Sequence, residues 1–139
     1  MSSPVTSAPA TPLTVVDSSG WIEFFTDGPQ ANDFAPAIEA PSQLIVPTLS
    51  LLEVFKWVLR EHGESAAIQA TALMQRGQVV ELSAQLALEA AQLGLVHHLP
   101  MADSVILATA RQHKARLLTL DSDFAELRDV VWIPKKAKG

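Results

Sequence analysis

One segment of the chain, Leu99-Pro-Met-Ala-Asp-Ser-Val-Ile-Leu-Ala-Thr-Ala-Arg-Gln112, is almost wholly apolar and contains a single carboxylate, that of Asp103. Pro100 suits the first position of a helix, where a backbone N–H would have no intrahelical partner. The apolar residues around Asp103 leave no wide polar face, which predicts a helix buried on most sides. Because a buried carboxylate is unfavourable unless it is hydrogen-bonded, paired or metal-bound, the segment predicts a partner for Asp103 elsewhere in the chain.

Asp103 also has a simpler interpretation as a residue of a helix terminus. It lies in the first turn of the predicted helix, where an acidic side chain interacts favourably with the positive end of the helix dipole. The segment by itself leaves both interpretations open, so the other acidic residues of the chain bear on the choice.

The composition is that of a single domain without disulfides. The chain has 139 residues, of which 48% are hydrophobic, enough to form a core without covalent staples. It has no cysteine, so any metal must be held by oxygen or imidazole ligands. No apolar run approaches the roughly 18 residues of a membrane span, and the N-terminus lacks a signal-peptide pattern, so a soluble cytoplasmic protein is expected. The net charge of −5 argues against broad adhesion to nucleic acid unless the basic residues cluster.

Short apolar runs alternate with helical patterns along the chain. The apolar runs predict five strands, at about residues 13–16, 44–46, 79–82, 116–120 and 130–133. Besides the Asp103 helix, helices are predicted from Trp21, over residues 30–40, over 49–62 with Thr48 as N-cap, over 65–76, and from the N-cap Ser83 to about residue 95. This alternation is typical of an α/β fold whose parallel sheet is covered by helices on both faces.

The two ends of the chain depart from this pattern. Residues 1–12 are small, polar and proline-rich, which predicts a disordered extension. Residues 13–134 form the predicted domain, and residues 135–139 form a basic tail.

Four acidic residues are predicted to meet at one edge of the sheet. Asp17 follows the first predicted strand and Asp121 follows the fourth. Ligands of α/β sheets bind beyond the carboxyl ends of the strands, so these two residues belong to the same functional edge. Glu53 and Asp103 each interrupt the apolar side of a helix that can reach that edge. The joint occurrence of four such acids favours a functional site over four separate structural roles.

Each acid nevertheless has an ordinary structural interpretation. Asp17 suits a turn, and Glu53 suits a partly exposed helix position. Asp123 suits the N-cap of a short helix, with Glu126 three residues later as its capping-box partner. Because the fourth strand is predicted to end at residue 120, Asp121 is expected to face the site and Asp123 to serve as the cap.

Four motifs carry a resemblance to a known family: Val15-Val-Asp-Ser-Ser19, Leu51-Leu-Glu-Val54, Met101-Ala-Asp-Ser-Val-Ile-Leu-Ala-Thr-Ala110 and Leu118-Thr-Leu-Asp-Ser-Asp-Phe124. In order and spacing they resemble the acidic motifs of PIN domains, specifically the VapC-type toxins of bacterial toxin-antitoxin pairs. The resemblance covers about residues 13–134, and the third and fourth motifs are the specific ones.

The resemblance implies a fold and an activity. The fold is a three-layer α/β/α PIN-like domain with a short, mostly parallel sheet flanked by helices. The activity is that of a magnesium-dependent endoribonuclease, the toxin of a type II toxin-antitoxin pair. Such a toxin is expected to be a homodimer and to be held inactive by a cognate antitoxin that inserts a segment near the acidic pocket.

The acidic residues have the chemistry that this activity needs. Mg²⁺ or Mn²⁺ prefers carboxylate and water oxygens, and several acids held together repel one another unless a cation joins them. Asp17, Asp103 and Asp121 are predicted to bind the metal directly or through water, with Asp123 as a lesser candidate. Glu53 is predicted to orient or deprotonate the attacking water.

Other polar residues are predicted to contact the substrate. Ser19 and Thr119 lie beside the pocket, where their hydroxyls hold an acid or a phosphate oxygen, unless they serve as a cap or at a strand edge. Lys56 and Arg60 lie one helical turn apart beyond Glu53 and are candidates for binding RNA phosphates, with a solvated face as the alternative. The same prediction extends to Arg111, Lys114 and Arg116.

Two other functions remain open at this point. A phosphoryl-transfer domain also has an acidic pocket at its strand ends, but the receiver and haloacid-dehalogenase types need an acidic pair or an Asp-x-Asp near the first strand. The segment Val15-Val-Asp-Ser-Ser19 supplies neither. A non-catalytic PIN-fold interaction module would need some other defect, because all four acids are present.

Overall fold

The computed structural model describes residues 12–136, which contain five short strands. They are β1 (Thr14–Val16), β2 (Ile45–Pro47), β3 (Gln78–Val80), β4 (Arg116–Thr119) and β5 (Val130–Trp132). One sheet has the order β1-β4-β5, and β2 pairs with β3. All of these pairings are parallel, and a bridge between Thr14 and Leu44 places β2 beside β1. The strands therefore lie side by side in the order β3-β2-β1-β4-β5.

Six α-helices accompany the strands within residues 12–136. They are α1 (Ser18–Phe25), α2 (Ala31–Ile38), α3 (Thr48–His62), α4 (Glu64–Met74), α5 (Ala84–His97) and α6 (Met101–Gln112). Two short 3-10 segments, Pro41–Gln43 and Ser122–Phe124, complete the fold. These elements confirm the predicted α/β architecture with a short parallel sheet flanked by helices.

Neighbouring residues of the central strands face two separate cores. One core combines the helices α1 to α4 with the strand residues Val16, Val46 and Leu118. The other combines α6 with the adjacent strand residues Val15, Ile45 and Leu117. Because successive side chains of a strand point to opposite faces, this division gives the three layers helix, sheet and helix.

The helix that contains Asp103 is buried as predicted. Every residue of α6 from Ser104 to Ala110 is buried, and Pro100 occupies the N-cap position immediately before the helix. On its outer side α6 packs against Leu86 and Ala90 of α5. The part of α6 that follows Asp103 is therefore held between the sheet and another helix.

Some predicted boundaries are confirmed and others are wrong. Ser83 caps α5 as predicted, because its Oγ accepts a hydrogen bond from the Leu86 N–H at 3.1 Å. Thr48 is not a cap: it is the first residue of α3, Pro47 occupies the N-cap position, and no side chain caps this helix. The first helix begins at Ser18 rather than Trp21, directly after Asp17. Residues 1–11 of the predicted extension and residues 137–139 of the predicted tail lie outside the described residues.

Within residues 12–136, no single helix has the length and hydropathy of a membrane span. Only α5 and α6 taken together reach that threshold, across a bend of 114°.

Candidate metal centre

Parallel pairing of β1 with β4 brings the acidic residues of two distant segments together. Val16 lies beside Leu118, so the residues that follow, Asp17 and Thr119, emerge at the same edge. The Asp17 N–H donates to the Leu118 carbonyl at 2.9 Å, which extends the ladder by one bond. The carboxyl-terminal edge of the sheet is thus the place where the first and fourth motifs meet, as the sequence predicts.

Asp17 is buried and held by two hydroxyl groups. Its side chain is 4% exposed, and its Oδ2 accepts hydrogen bonds from Thr119 Oγ1 at 2.8 Å and from Ser19 Oγ at 2.9 Å. Burial raises the pKa of Asp17 above its ordinary value of 3.8, although these hydroxyls and the Ser18 N–H favour the charged form. The negative charge of Glu53 adds to the rise. The carboxylate is therefore oriented but not neutralised by its neighbours.

Asp103 reaches the same edge from the first turn of α6. Burial raises the pKa of Asp103 from 3.8 to about 7, and four acidic residues add to the rise, in the order Asp17, Asp121, Glu53 and Asp123. These causes show that the charges of the four other acids all act on Asp103. We use the name metal centre for these five residues, Asp17, Glu53, Asp103, Asp121 and Asp123, as the candidate site for a cation.

Three carboxylates of the metal centre are close enough to share one cation. Asp103, Asp121 and Asp123 each offer a carboxylate oxygen, and these oxygens lie within 4.8 Å of one another. Asp103 and Asp121 are partly buried, whereas Asp123 is exposed. The set therefore opens to solvent on one side, where a substrate can approach.

Thr119 links the two strand ends that carry Asp17 and Asp121. Its side chain is fully buried, its hydroxyl donates to Asp17, and its Oγ1 accepts a hydrogen bond from the Asp121 N–H at 2.9 Å. The predicted position of Thr119 beside the pocket agrees with the structure. Because one hydroxyl makes both contacts, Thr119 sets the distance between the two acidic segments.

Glu53 is oriented by a residue that the sequence analysis did not assign. Ser18 Oγ donates to Glu53 Oε1 at 2.7 Å, across 35 positions of sequence. Ser18 begins α1 and is nearly buried, so α1 holds the side chain of α3 at the edge of the site. The only sequence signal was that Ser18 directly follows Asp17 and so shares its turn.

The predicted role of Asp123 as the cap of this turn is wrong, whereas Asp121 lies among the acids of the site as predicted. Asp121, not Asp123, is the N-cap of the 3-10 segment, and its Oδ1 accepts a hydrogen bond from the Asp123 N–H at 2.9 Å. The physical reason is that an aspartate readily accepts from the N–H two residues ahead, and only Asp121 still has extended backbone at that point. The proposed capping partner Glu126 is exposed. Asp123 is thereby left available as a metal ligand.

The predicted basic residues form no ion pair with the metal centre in the part of the chain that the structure describes. Arg60 pairs with Glu61 at 2.8 Å on the surface, and within residues 12–136 neither Arg60 nor Lys56 forms an ion pair with the metal centre. The expectation that Arg111, Lys114 and Arg116 flank the acidic pocket is wrong. Arg116 begins β4 and lies at the opposite end of the strand from Asp121, Lys114 lies in the turn before it, and Arg111 lies in the last turn of α6.

The donor set fits a hard divalent cation. All of the groups are carboxylate oxygens, and burial together with their mutual repulsion raises the pKa of Asp103, so bringing a cation among them lowers the energy of the charged forms. The three nearest carboxylates suit direct ligation. Asp17, held by Ser19 and Thr119, lies behind them and adds negative charge.

Comparisons with known proteins identify one family model and several solved structures that this chain resembles. The PIN domain family model matches residues 14–130. A toxin-antitoxin complex from Klebsiella pneumoniae is 26% identical with a TM-score of 0.72, covering 85% of this chain and 95% of that chain. The Mycobacterium tuberculosis toxin VapC20, described as cleaving the sarcin-ricin loop, is 23% identical with a TM-score of 0.64, covering 81% and 92%. FitAcB from Neisseria gonorrhoeae is 18% identical with a TM-score of 0.61, covering 87% and 96%. No curated protein matches the chain.

The family match takes in the whole metal centre. It runs from the first residue of β1 to the first residue of β5, and all five acidic residues fall inside it. The solved structures share the fold over most of their own length as well as most of this chain. This chain is therefore a member of the PIN domain family.

Proposed function

We propose that the chain is the toxin of a type II toxin-antitoxin pair and acts as a Mg²⁺- or Mn²⁺-dependent endoribonuclease. The observation that carries the proposal is the set of three carboxylates within 4.8 Å, backed by the buried Asp17, in a PIN domain. Such a set has no evident structural purpose, because it concentrates negative charge without a basic partner among the described residues.

Asp103, Asp121 and Asp123 would hold the cation, and Asp17 would support it from behind. When bound, the cation supplies Lewis-acid stabilisation of the scissile phosphate and lowers the pKa of the attacking water. The chain itself contributes the orientation of these carboxylates. Thr119 and Ser19 donate hydrogen bonds to Asp17, so in this proposal they position an acid rather than bind a phosphate oxygen.

Glu53 is placed to handle the proton of the attacking water. Ser18 occupies its Oε1, which leaves Oε2 to accept a hydrogen bond from water. In the proposed hydrolysis, the water oxygen forms a bond to phosphorus, Glu53 accepts the proton, and the bond from phosphorus to the leaving oxygen breaks. The leaving oxygen takes a proton from solvent. Lys56 and Arg60, exposed on the same helix, are proposed to contact neighbouring phosphates.

Cleavage of RNA tests this function directly. Purified protein incubated with a mixed RNA pool is expected to cleave it with Mg²⁺ and not with a chelator. The Glu53→Gln variant keeps an acceptor for Ser18 but not the basic carboxylate, so it is expected to bind RNA and to cleave it much more slowly. If the wild-type protein cleaves no RNA with either metal, the non-catalytic PIN-fold module is the better description.

We propose further that an antitoxin blocks the metal centre with a basic side chain. The clustered carboxylates lack such a partner among residues 12–136, and an arginine matches a carboxylate pair in charge and geometry. The chain is proposed to act in the cytoplasm, where its RNA substrate lies, and its expression alone is expected to arrest growth. Co-expression of the small protein encoded beside it is expected to restore growth, and harmless expression of the wild-type chain would contradict the toxin assignment.

A homodimer is also proposed, and the outer surface of α5 and α6 supports it. Leu88, Leu95 and Met101 are 70%, 80% and 82% exposed, and a groove of about 560 Å³ lies between the two helices. Contiguous apolar surface of this kind marks an interaction site. The Leu95→Ser variant is expected to be monomeric by light scattering, whereas Ile68→Ser, at an exposed site on α4, is expected to remain dimeric. A dimeric Leu95→Ser variant would rule out this surface.

A further inference from the structure

A basic pocket lies at the amino-terminal edge of the sheet, at the opposite ends of β1 and β4 from the metal centre. Its volume is about 430 Å³, and Leu13, just before β1, and Arg116, the first residue of β4, both line it. Its charged groups are four basic side chains and one carboxylate: Arg111, Lys114, Arg116, Arg128 and Asp129. This local excess of positive charge is notable in a chain whose net charge is −5.

The turn between α6 and β4 places three of these cations together. Arg111 lies in the last turn of α6, Lys114 has a left-handed backbone with φ of 53°, and Arg116 begins β4. The Lys114 N–H donates to the Arg111 carbonyl at 3.2 Å, and the Ala115 N–H donates to the Ala110 carbonyl at 2.8 Å. The turn is fixed by these backbone bonds, so three basic side chains leave it toward one pocket.

The guanidinium groups of the basic pocket are oriented but incompletely paired. Arg116 Nε donates to Thr14 Oγ1 at 2.9 Å. Arg111 Nε is buried and has no hydrogen-bond acceptor among residues 12–136. Arg128 forms an exposed ion pair with its neighbour Asp129, with 3.5 Å between Nε and Oδ2. Because four cations and only one carboxylate line the pocket, its positive charge is not offset, and the pocket is suited to an anion that provides acceptors.

We propose that the basic pocket binds backbone phosphates of the RNA strand that is cleaved at the metal centre. The proposal rests on the proposed function, to which it adds a second region of the protein that binds the substrate. Guanidinium groups bind phosphate through paired hydrogen bonds, and several cations on one surface match a polyanion better than a single small anion. The interaction is independent of base sequence, because it involves phosphate only.

The distance between the two regions suits a single strand of RNA. Asp121 follows Arg116 by five residues, so at about 3.3 Å per residue the two backbone positions are at most about 17 Å apart. Because β4 is buried between them, an RNA that binds at both edges must run over the surface of the domain, which requires a strand of many nucleotides. A substrate of two or three nucleotides reaches the metal centre alone.

Binding of RNA in the presence of a chelator tests the basic pocket. Without a cation the metal centre repels phosphate, so fluorescence anisotropy of a labelled RNA of about twenty nucleotides reports the basic surfaces. The double variant Lys114→Gln/Arg128→Gln, both sites being exposed, is expected to bind about tenfold more weakly. Its plot of log K against log salt is expected to become shallower by about 0.7 for each phosphate that the variant no longer neutralises. Arg76→Gln, an exposed change outside the pocket, is the matched control and is expected to keep the wild-type slope.

The outcomes separate this proposal from the proposed function. Wild-type affinity and salt slope in the double variant would overturn the basic pocket as an RNA-binding region, whatever the cleavage activity. Stabilisation of the protein by inorganic phosphate, abolished in the double variant but without any effect on RNA binding, would identify a small-anion site and overturn it as well. Failure of the proposed function appears differently, as an absence of Mg²⁺-dependent cleavage in the wild type.

Cleavage assays provide a second test of RNA binding by the basic pocket. With Mg²⁺, the double variant is expected to show a raised KM for the twenty-nucleotide RNA and an unchanged kcat. The KM for a trinucleotide is expected to stay at the wild-type value, because such a substrate does not reach the pocket. An equal loss on both substrates would show that the substitutions disturb the metal centre, and would overturn the proposal.

Discussion

The two edges of the central sheet carry opposite charge on the same strands. At the carboxyl ends of β1 and β4 lie the acids of the metal centre, and at the amino ends lie the cations of the basic pocket. Among the acids, Glu53 is held by Ser18, and Asp17 is held by Ser19 and Thr119. The basic side chains are long; those of Lys114 and Arg128 are exposed, and those of Arg111 and Arg116 are partly buried.

This difference indicates a separate role for each edge. Short, hydrogen-bonded carboxylates are organised before a ligand arrives, which suits a site where atoms must be placed for a reaction. Long basic side chains adapt to a flexible polyanion and contribute to affinity. Changes at the acidic edge should therefore act on rate, and changes at the basic edge on binding.

The largest effect is expected from Asp103→Asn, which removes a charge shared by the whole metal centre. We expect metal-dependent cleavage to fall at least about 100-fold, equivalent to about 2.7 kcal/mol of barrier, with the fold retained. Cleavage rates and circular dichroism measure the two parts. Glu126→Gln, an exposed acid beyond the metal centre, is the control and should cleave RNA at the wild-type rate. Activity of Asp103→Asn within about tenfold of wild type would contradict the proposal that the acidic edge determines the rate of cleavage.

Asp121 and Asp123 are expected to differ because only Asp121 is also a cap. Asp121→Asn keeps an oxygen that accepts from the Asp123 N–H, so it should lower cleavage strongly with little loss of stability. Asp121→Ala should lower cleavage and also the free energy of unfolding by about 0.5–2 kcal/mol, the usual cost of removing a cap. Asp123→Ala should reduce cleavage with unchanged stability. A destabilised but active Asp123→Ala variant would restore the capping role to Asp123.

The acids of the metal centre are expected to determine how stability depends on pH. Because the pKa of Asp103 is raised to about 7, the folded chain keeps a proton that the unfolded chain releases above about pH 4. The metal-free protein should therefore lose stability as pH rises from about 4 to about 7. Because Asp103 is partly exposed, the loss should be at most a few kcal/mol. The raised pKa of Asp17 acts in the same direction. Thermal unfolding should show a lower Tm at pH 8 than at pH 5.

Added Mg²⁺ and the Asp103→Asn substitution test the same prediction further. Mg²⁺ added at pH 8 should raise the Tm back toward its value at pH 5, since it binds the charged folded form. Asp103→Asn should raise the metal-free Tm at pH 8 and flatten its dependence on pH. A metal-free Tm that rises from pH 5 to pH 8 in the wild type would contradict the assignment of mutual repulsion at this edge.

The smallest effect is expected from Ser18→Ala, which frees Glu53 without changing any charge. The loss of one hydrogen bond to a carboxylate should lower kcat about threefold to tenfold, about 1 kcal/mol of barrier, and leave KM unchanged. Ser18→Thr keeps a hydroxyl and should recover part of the rate. If Ser18→Ala has wild-type kcat, Glu53 needs no fixed orientation and its proposed role in proton transfer is weakened.

The sequence by itself determined the layers of the fold and most of the acidic edge. Adjacent apolar residues such as Val15 and Val16 can be buried together only if both faces of the strand are covered, so the three-layer arrangement follows from local pattern. Asp17 and Asp121 were predictable for the same local reason, because each directly follows an apolar strand. The buried character of the Asp103 helix needed only its composition.

Only the tertiary structure decided which side chains hold these acids and where the cations lie. The bond from Ser18 to Glu53 and the bond from Thr119 to Asp17 join residues far apart in sequence, and no local pattern specifies them. The cap at Asp121 depends on the residue at which β4 stops pairing, one position earlier than predicted. The basic residues before β4 lie away from the metal centre because the direction of the strand, set by parallel pairing with β1, separates its two ends.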